Sequence, residues 1–187
     1  MALFQPTALF RGAEYITPEY LRGHGIRALI LDVDNTLTGH GSQQLPPAIA
    51  AWLQTMKESG VRLRVASNNM PGRVRPFAQK IGLPYSALCC KPSPFGLWHA
   101  CREMGVRPCE AALVGDQVFT DALGANLAGV KMLLVQPMYQ DTKVLIRLRR
   151  HLEKPVLRRY YEKGGRLLLQ RGAQRPKRQN PLKKAKK

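Results

Sequence analysis

No apolar run in this chain approaches the roughly 18–20 residues needed to cross a bilayer, so no spanning helix is expected. Residues 1–12 lack a charged stretch followed by a long apolar core, so no secretory leader is expected and the chain reads as cytoplasmic. Internal repeats are absent. The cysteines Cys89, Cys90, Cys101 and Cys109 form no Cys-x-x-Cys pair. His99 lies near them, but small thiols in a reducing compartment are a simpler expectation than a zinc site. The histidines at 24, 40, 99 and 151 fall in no motif; His40 follows an acidic pair and reads as a solvated loop residue.

Acidic residues are scarce, and the imbalance is local. Residues 142–187 hold 17 Lys/Arg against 2 Asp/Glu, a net +15. The rest of the chain holds 13 against 10, a net +3. Basicity is therefore an appendage to a nearly neutral body. Residues 141–169 read as a broken basic helix, with Leu145, Leu148 and Leu152 on one apolar face and Pro155 ending or kinking it. Residues 170–187 are polar, basic and expected to be disordered. Such an appendage suits an anionic membrane surface. It suits RNA or the ribosome equally. It can also merely cover the sheet and keep the protein soluble.

What is present is a series of short apolar runs that end in polar clusters. Ile26–Leu31 runs into Asp32-Val33-Asp34-Asn35-Thr36, a carboxylate pair at a strand end. Two carboxylates placed so close need a cation or a shared proton. An EF-hand loop would need Gly at its sixth position and Glu at its twelfth; Leu37 and Gln43 stand there. Val61–Ala66 stops at Ser67-Asn68-Asn69, Leu88-Cys89-Cys90 precedes Lys91-Pro92, and Ala111–Val114 ends in Gly115-Asp116 with Asp121 beyond. Strands are expected near 28–32, 62–66, 86–88, 111–115 and 132–135. Helices are expected near 46–59, 71–82, 94–104 and 119–128, each followed by Gly60, Gly82, Gly105 or Gly129. That alternation predicts an α/β fold, a doubly wound Rossmann-like parallel sheet whose strand ends converge on one edge. At 187 residues one such domain is expected, over 14–140, followed by the extension at 141–169 and the tail at 170–187.

In this order the four clusters resemble the motifs of the haloacid dehalogenase-like phosphatases. With Ile16-Thr17-Pro18-Glu19, Gly25-Ile26, Lys91-Pro92, Gly115–Asp121, Arg149-Arg150 and Leu157-Arg158-Arg159, the chain is similar to the YqeG branch of subclass IIIA, which is related to phosphatidylglycerophosphate phosphatases. The resemblance spans residues 14–163. It implies that Asp32 attacks phosphorus to form an aspartyl-phosphate and that Asp34 is the acid and base. It implies phosphate binding by Ser67, Asn68 and Lys91, and Mg²⁺ held by Asp32, the Asp34 carbonyl and Asp116. Asp121 and Thr36 would support them from behind, with a Mg²⁺ ligand role also open to Asp121. Ser67 follows Thr36 by 31 residues and Lys91 follows Ser67 by 24, so neither interval holds a cap domain. The expected activity is hydrolysis of a phosphomonoester, a lipid phosphate such as phosphatidylglycerophosphate. The alternative is an RNA- or ribosome-associated protein with a phosphatase core.

Overall fold

In the computed structural model, which describes residues 2–140 and 144–169, the apolar runs become parallel strands. In chain order the elements are β1 (Ala8–Phe10), α1 (Pro18–Gly23), β2 (Ala28–Leu31), α2 (Pro47–Glu58), β3 (Arg62–Ala66), α3 (Pro71–Lys80), β4 (Tyr85–Ser86), α4 (Phe95–Glu103), β5 (Ala111–Gly115), α5 (Leu123–Ala128), β6 (Lys131–Val135), α6 (Val144–Glu162) and β7 (Leu167–Leu168). The seven strands form one sheet in the order β4-β3-β2-β5-β6-β1-β7, and every pairing is parallel. The expected tail, 170–187, lies outside the described residues.

Strand side chains alternate between faces, so each strand supplies two cores. Leu29 and Leu31 of β2 join Leu63, Val65, Ala112 and Val114 under α1, α2 and α3. Ala28 and Ile30 join Ala111, Leu113, Met132 and Leu134 under α4, α5 and α6. Both faces are covered, which explains the near-continuous apolar reading of β2 and β5. Fully burying a side chain such as Leu29 or Ile30 contributes about 2 kcal/mol. Local signals agree with the packing. Thr17 caps α1 by accepting from Tyr20 N at 3.2 Å. Proline opens α2 and α3 at a position where no amide hydrogen is needed. Gly60 and Gly129 end α2 and α5 at φ 78° and 71°.

The structure departs from expectation in four places. The sheet draws β1 and β7 from outside 14–140, because Ala8–Phe10 pairs with β6 on one side and β7 on the other. The strand expected at 86–88 stops at Ser86; Leu88 and Cys90 have φ of 51° and 52°, and Cys89 N bonds across to Ser67 O at 3.0 Å. The helix expected from 119 opens as a π-helical turn, Val118–Ala122, in which Asp121 N and Ala122 N both donate to Gln117 O. Finally, α6 runs through Pro155 without ending. Its packed stripe is Val156, Leu157 and Tyr160, with Glu153 buried above them, which holds the helix against the sheet. Leu148 and Leu152, expected on one apolar face, are 59% and 56% exposed. The Leu145 side chain and residues 141–143 lie outside the described residues.

Candidate active site

Asp32 follows directly on β2, and its N–H extends the ladder by donating to Val114 O at 2.9 Å. The chain then folds tightly around Val33, whose carbonyl accepts from the amides of Thr36, Leu37 and Thr38. Val33 and Leu37 are wholly buried, so two apolar anchors pin a short polar loop. Asn35 takes φ 58°, a conformation that asparagine tolerates better than most residues. Asp32 and Asp34 flank Val33 and are both nearly buried, as is Thr36.

Lys91 comes from the loop after β4. Its ammonium lies 2.7 Å from a carboxylate oxygen of Asp32 and 2.7 Å from one of Asp121, with the side chain almost entirely buried. Asn68 fixes this loop: its amide accepts from Lys91 N at 2.7 Å and donates to Lys91 O at 2.8 Å. Asn68, expected on the phosphate, therefore has its side chain committed to the Lys91 backbone. Asp121 also accepts from Gln117 N at 3.1 Å, and the π-helical turn brings it over Gly115. A Cβ at Gly115 would lie 2.6 Å from the Asp121 carboxyl carbon, so only glycine admits this approach.

Asp34 turns its side chain another way. One oxygen accepts from Gly41 N at 2.8 Å and from Arg73 at 2.8 Å, and the other from the Asn69 amide at 2.5 Å. Ser67, buried at the end of β3, accepts from Asn69 N at 3.2 Å. On the far side, Arg150 of α6 reaches back to pair with the Asp116 carboxylate and donates to Asp116 O at 2.5 Å. Glu153 holds Arg150 at 3.0 Å and accepts from Val118 N at 2.8 Å.

The carboxylates of Asp32, Asp116 and Asp121 form one cluster, their oxygens within 4.8 Å of one another. Burial pushes the Asp32 carboxyl up to about 6, with Lys91 opposing the rise and Asp121 adding to it. Burial likewise raises Asp116 well above the usual carboxylate range, opposed by Arg150. Burial alone would lower Lys91, but the carboxylates of Asp121 and Asp32 outweigh it and hold the ammonium charged. Lys91 is shared by Asp32 and Asp121, and Arg150 by Asp116 and Glu153, so the acids outnumber the cations that hold them. Asp116 Oδ1 is buried without a hydrogen-bond partner. An oxygen-only donor set with an uncommitted buried oxygen fits a hard divalent cation.

Sequence reasoning singled out Asp32, Asp34, Lys91, Asp116 and Asp121, and the structure brings these together at one sheet edge. Asp121, expected either behind the cluster or as a ligand in it, lies with Asp32 and Asp116. Asn69, Arg73 and Glu153 were not named as site residues. Asn69 adjoined the Ser67 cluster and was visible; Arg73 and Glu153 each lie within a helical stretch whose face only the packing decides. Arg150 was noted in the resemblance without a role.

Comparison with known proteins agrees with this geometry. A family model described as "haloacid dehalogenase-like hydrolase" matches residues 39–129. The "Probable phosphatase YqeG" of Bacillus subtilis (strain 168) is 31% identical over 161 residues, covering 86% of this chain and 94% of that protein. The "Phosphatidylglycerophosphate phosphatase 1, chloroplastic/mitochondrial" of Arabidopsis thaliana is 25% identical over 169 residues, covering 85% of this chain and 49% of that protein. In fold, an uncharacterized protein from Listeria monocytogenes serotype 4b superposes with a TM-score of 0.53 at 17% identity, over 71% of this chain and 99% of that one.

Proposed function

The chain belongs to the YqeG family of haloacid dehalogenase-like hydrolases and is a phosphatase, and on that premise we propose that it is a Mg²⁺-dependent phosphomonoesterase acting through Asp32 on a lipid phosphate. The observation that carries this is the cluster of Asp32, Asp116 and Asp121 gathered around Lys91 at the carboxyl edge of the sheet.

An Asp32 oxygen attacks phosphorus, a P–O bond to Asp32 forms, and the bond to the leaving oxygen breaks. Asp34 delivers a proton to that oxygen, then takes one from the water that cleaves the aspartyl-phosphate and frees Asp32 and inorganic phosphate. To do so Asp34 must loosen its contact with Arg73 or Asn69. Lys91 and the Ser67 hydroxyl face the phosphoryl oxygens, where charge develops. Asp32 and Asp116, with the Asp34 carbonyl or the Asp121 carboxylate, would hold the cation. Mg²⁺ bound there supplies charge neutralisation between nucleophile and phosphoryl dianion. Arg150 and Glu153 orient Asp116.

The lipid assignment is supported by the name of the Arabidopsis relative. It is also supported by the outward Leu148 and Leu152 on a basic helix, which suit an anionic bilayer surface. The test is phosphate release from phosphatidylglycerophosphate in micelles and from an aryl phosphate, with Mg²⁺ and after exhaustive chelation. Loss of both activities on chelation and in Asp32→Asn is expected. Activity that survives either change removes the mechanism; an aryl phosphatase that ignores the lipid removes the substrate.

A further inference from the structure

The turn after β6 and the face of α6 beside it enclose a pocket of about 720 Å³. It lies against the carboxylate cluster, for Arg150 lines it and binds Asp116. Its opposite wall is tied to the Asp32–Asp34 loop: Met138 N donates to Asn35 O at 3.1 Å. Tyr139 packs on Gly39, where a Cβ would come within 3.1 Å of the ring. The pocket and the reacting carboxylates therefore share walls on two sides.

Among the described residues its lining is basic: Arg147 and His151, one turn apart on α6, face the same space, and none of the described lining residues is acidic. Arg147 has no ion-pair partner among the described residues, whereas Arg150 is committed to Asp116 and Glu153. The His151 Nδ1 lies 2.9 Å from Arg147 O, which leaves Nε2 for a ligand. The reacting phosphoryl group has its own donors in Lys91 and Ser67. A second basic patch beyond Arg150 is not needed for it. The volume falls in the range of small-molecule sites and exceeds what a phosphate alone would fill.

We propose that this pocket receives the leaving-group half of the substrate, and that Arg147 and His151 bind a second anionic group there, a phosphodiester. The assignment rests on the phosphomonoesterase reading above and narrows it to monoesters whose alcohol carries a diester. Guanidinium binds such a group through two parallel hydrogen bonds, while the apolar faces of Met138 and Tyr139 contact the glycerol carbons.

Two soluble probes isolate the pocket from lipid binding: glycerophosphoglycerol phosphate, which has monoester and diester, and glycerol 3-phosphate, which lacks the diester. Wild-type kcat/KM should favour the first by about 10-fold, the effect of one charge-assisted hydrogen-bonded pair at a half-open site. Arg147→Gln should bring the ratio close to one, mostly through KM, and Arg147→Glu should take it lower. His151→Gln should reduce it by a smaller factor. Arg147 is on the surface, so these variants should fold. A wild-type ratio near one, or a ratio unchanged in both Arg147 variants, overturns the proposal. If wild type with Mg²⁺ hydrolyses no phosphomonoester, the phosphatase reading has failed instead. Calorimetric binding of the deacylated headgroup to wild type and Arg147→Glu then decides the pocket alone, equal affinity counting against it. Preference for the soluble headgroup without hydrolysis of the micellar lipid would remove only the lipid assignment.

Discussion

Replacing Lys91 with methionine keeps most of the stem and removes the charge, which makes it the sharpest probe of the cluster. The ammonium lies 2.7 Å from Asp32 and 2.7 Å from Asp121 with its side chain 2% exposed. Removing one partner of a buried ion pair costs about 3–5 kcal/mol, because the remaining charges stay desolvated. Lys91→Met leaves Asp32, Asp116 and Asp121 facing one another with only Arg150 to offset them. We expect a loss of about 3–5 kcal/mol in urea unfolding at pH 7 with EDTA present. The cost should depend on pH with a definite sign. Asp32 is raised to about 6 in the folded protein. In the window from its unfolded value, about 4, up to 6, the folded state holds a proton that the unfolded state has released. Stability from this group therefore falls as pH rises through that window. Without the ammonium the carboxylates rise further, so the deficit of Lys91→Met should shrink between pH 7 and pH 5. Mg²⁺ should restore more stability to the variant than to wild type, since the variant's acidic cluster has lost one of its cations. A loss below about 1 kcal/mol, or a deficit equal at both pH values, would refute a buried cluster neutralised by Lys91.

Asp34→Asn should slow alkyl phosphates far more than aryl phosphates, because only the former need a proton to depart; an unchanged ratio of the two rates would remove its acid role. Gly115→Ala should cost about 1–3 kcal/mol by thermal or urea unfolding and should lower kcat by displacing Asp121 from Lys91. Wild-type stability and turnover together would mean that the Asp121 carboxylate relocates freely. Phe77→Ala, wholly buried on the inner face of α3, should cost about 3–5 kcal/mol in urea unfolding; a cost below about 1 kcal/mol would mean that the core closes over the cavity.

The chemistry of this protein was more legible in its sequence than its edges were. Asp32 and Asp116 each follow an apolar strand directly, so the position of a strand end announced them, whereas Lys91 lies in the loop beyond β4 and was announced by its place before Pro92. The central strands were equally plain, since both faces of β2 and β5 are buried and read as unbroken apolar runs. Short pieces escaped: β1 is Ala8-Leu9-Phe10 and β7 is Leu167-Leu168, too brief for a period to register. On α6, Leu148 and Leu152 have the helical spacing of an apolar face, but the stripe that packs on the sheet is Val156, Leu157 and Tyr160, beyond Pro155. Periodicity finds a face but not its partner. Arg73 and Glu153 were silent for a related reason. A charged residue in a helix reads as solvated until a neighbour such as Asp34 or Val118 is brought beside it.

The order β6-β1-β7 also bears on how the chain assembles. β1 pairs with β6 through Ala8 and Leu133, partners 125 residues apart, and with β7 through Leu9 and Leu167. The strand of this sheet that is made first is thus among the last to find its place. At roughly 5–20 residues per second, about 6–25 s pass between synthesis of Phe10 and synthesis of its neighbour Val135. Once Ala111–Gly115 is made, β5 can pair with β2, but its other edge stays unoccupied until Lys131–Val135 follows. Contacts of this separation slow folding, because a long loop must close before they contribute. The nucleophile loop on β2 can therefore be shaped early, while the half of the sheet that carries α6 and Arg150 closes only after β6, α6 and β7 are made. Catalytic competence should lag behind compaction, with Arg150 arriving last.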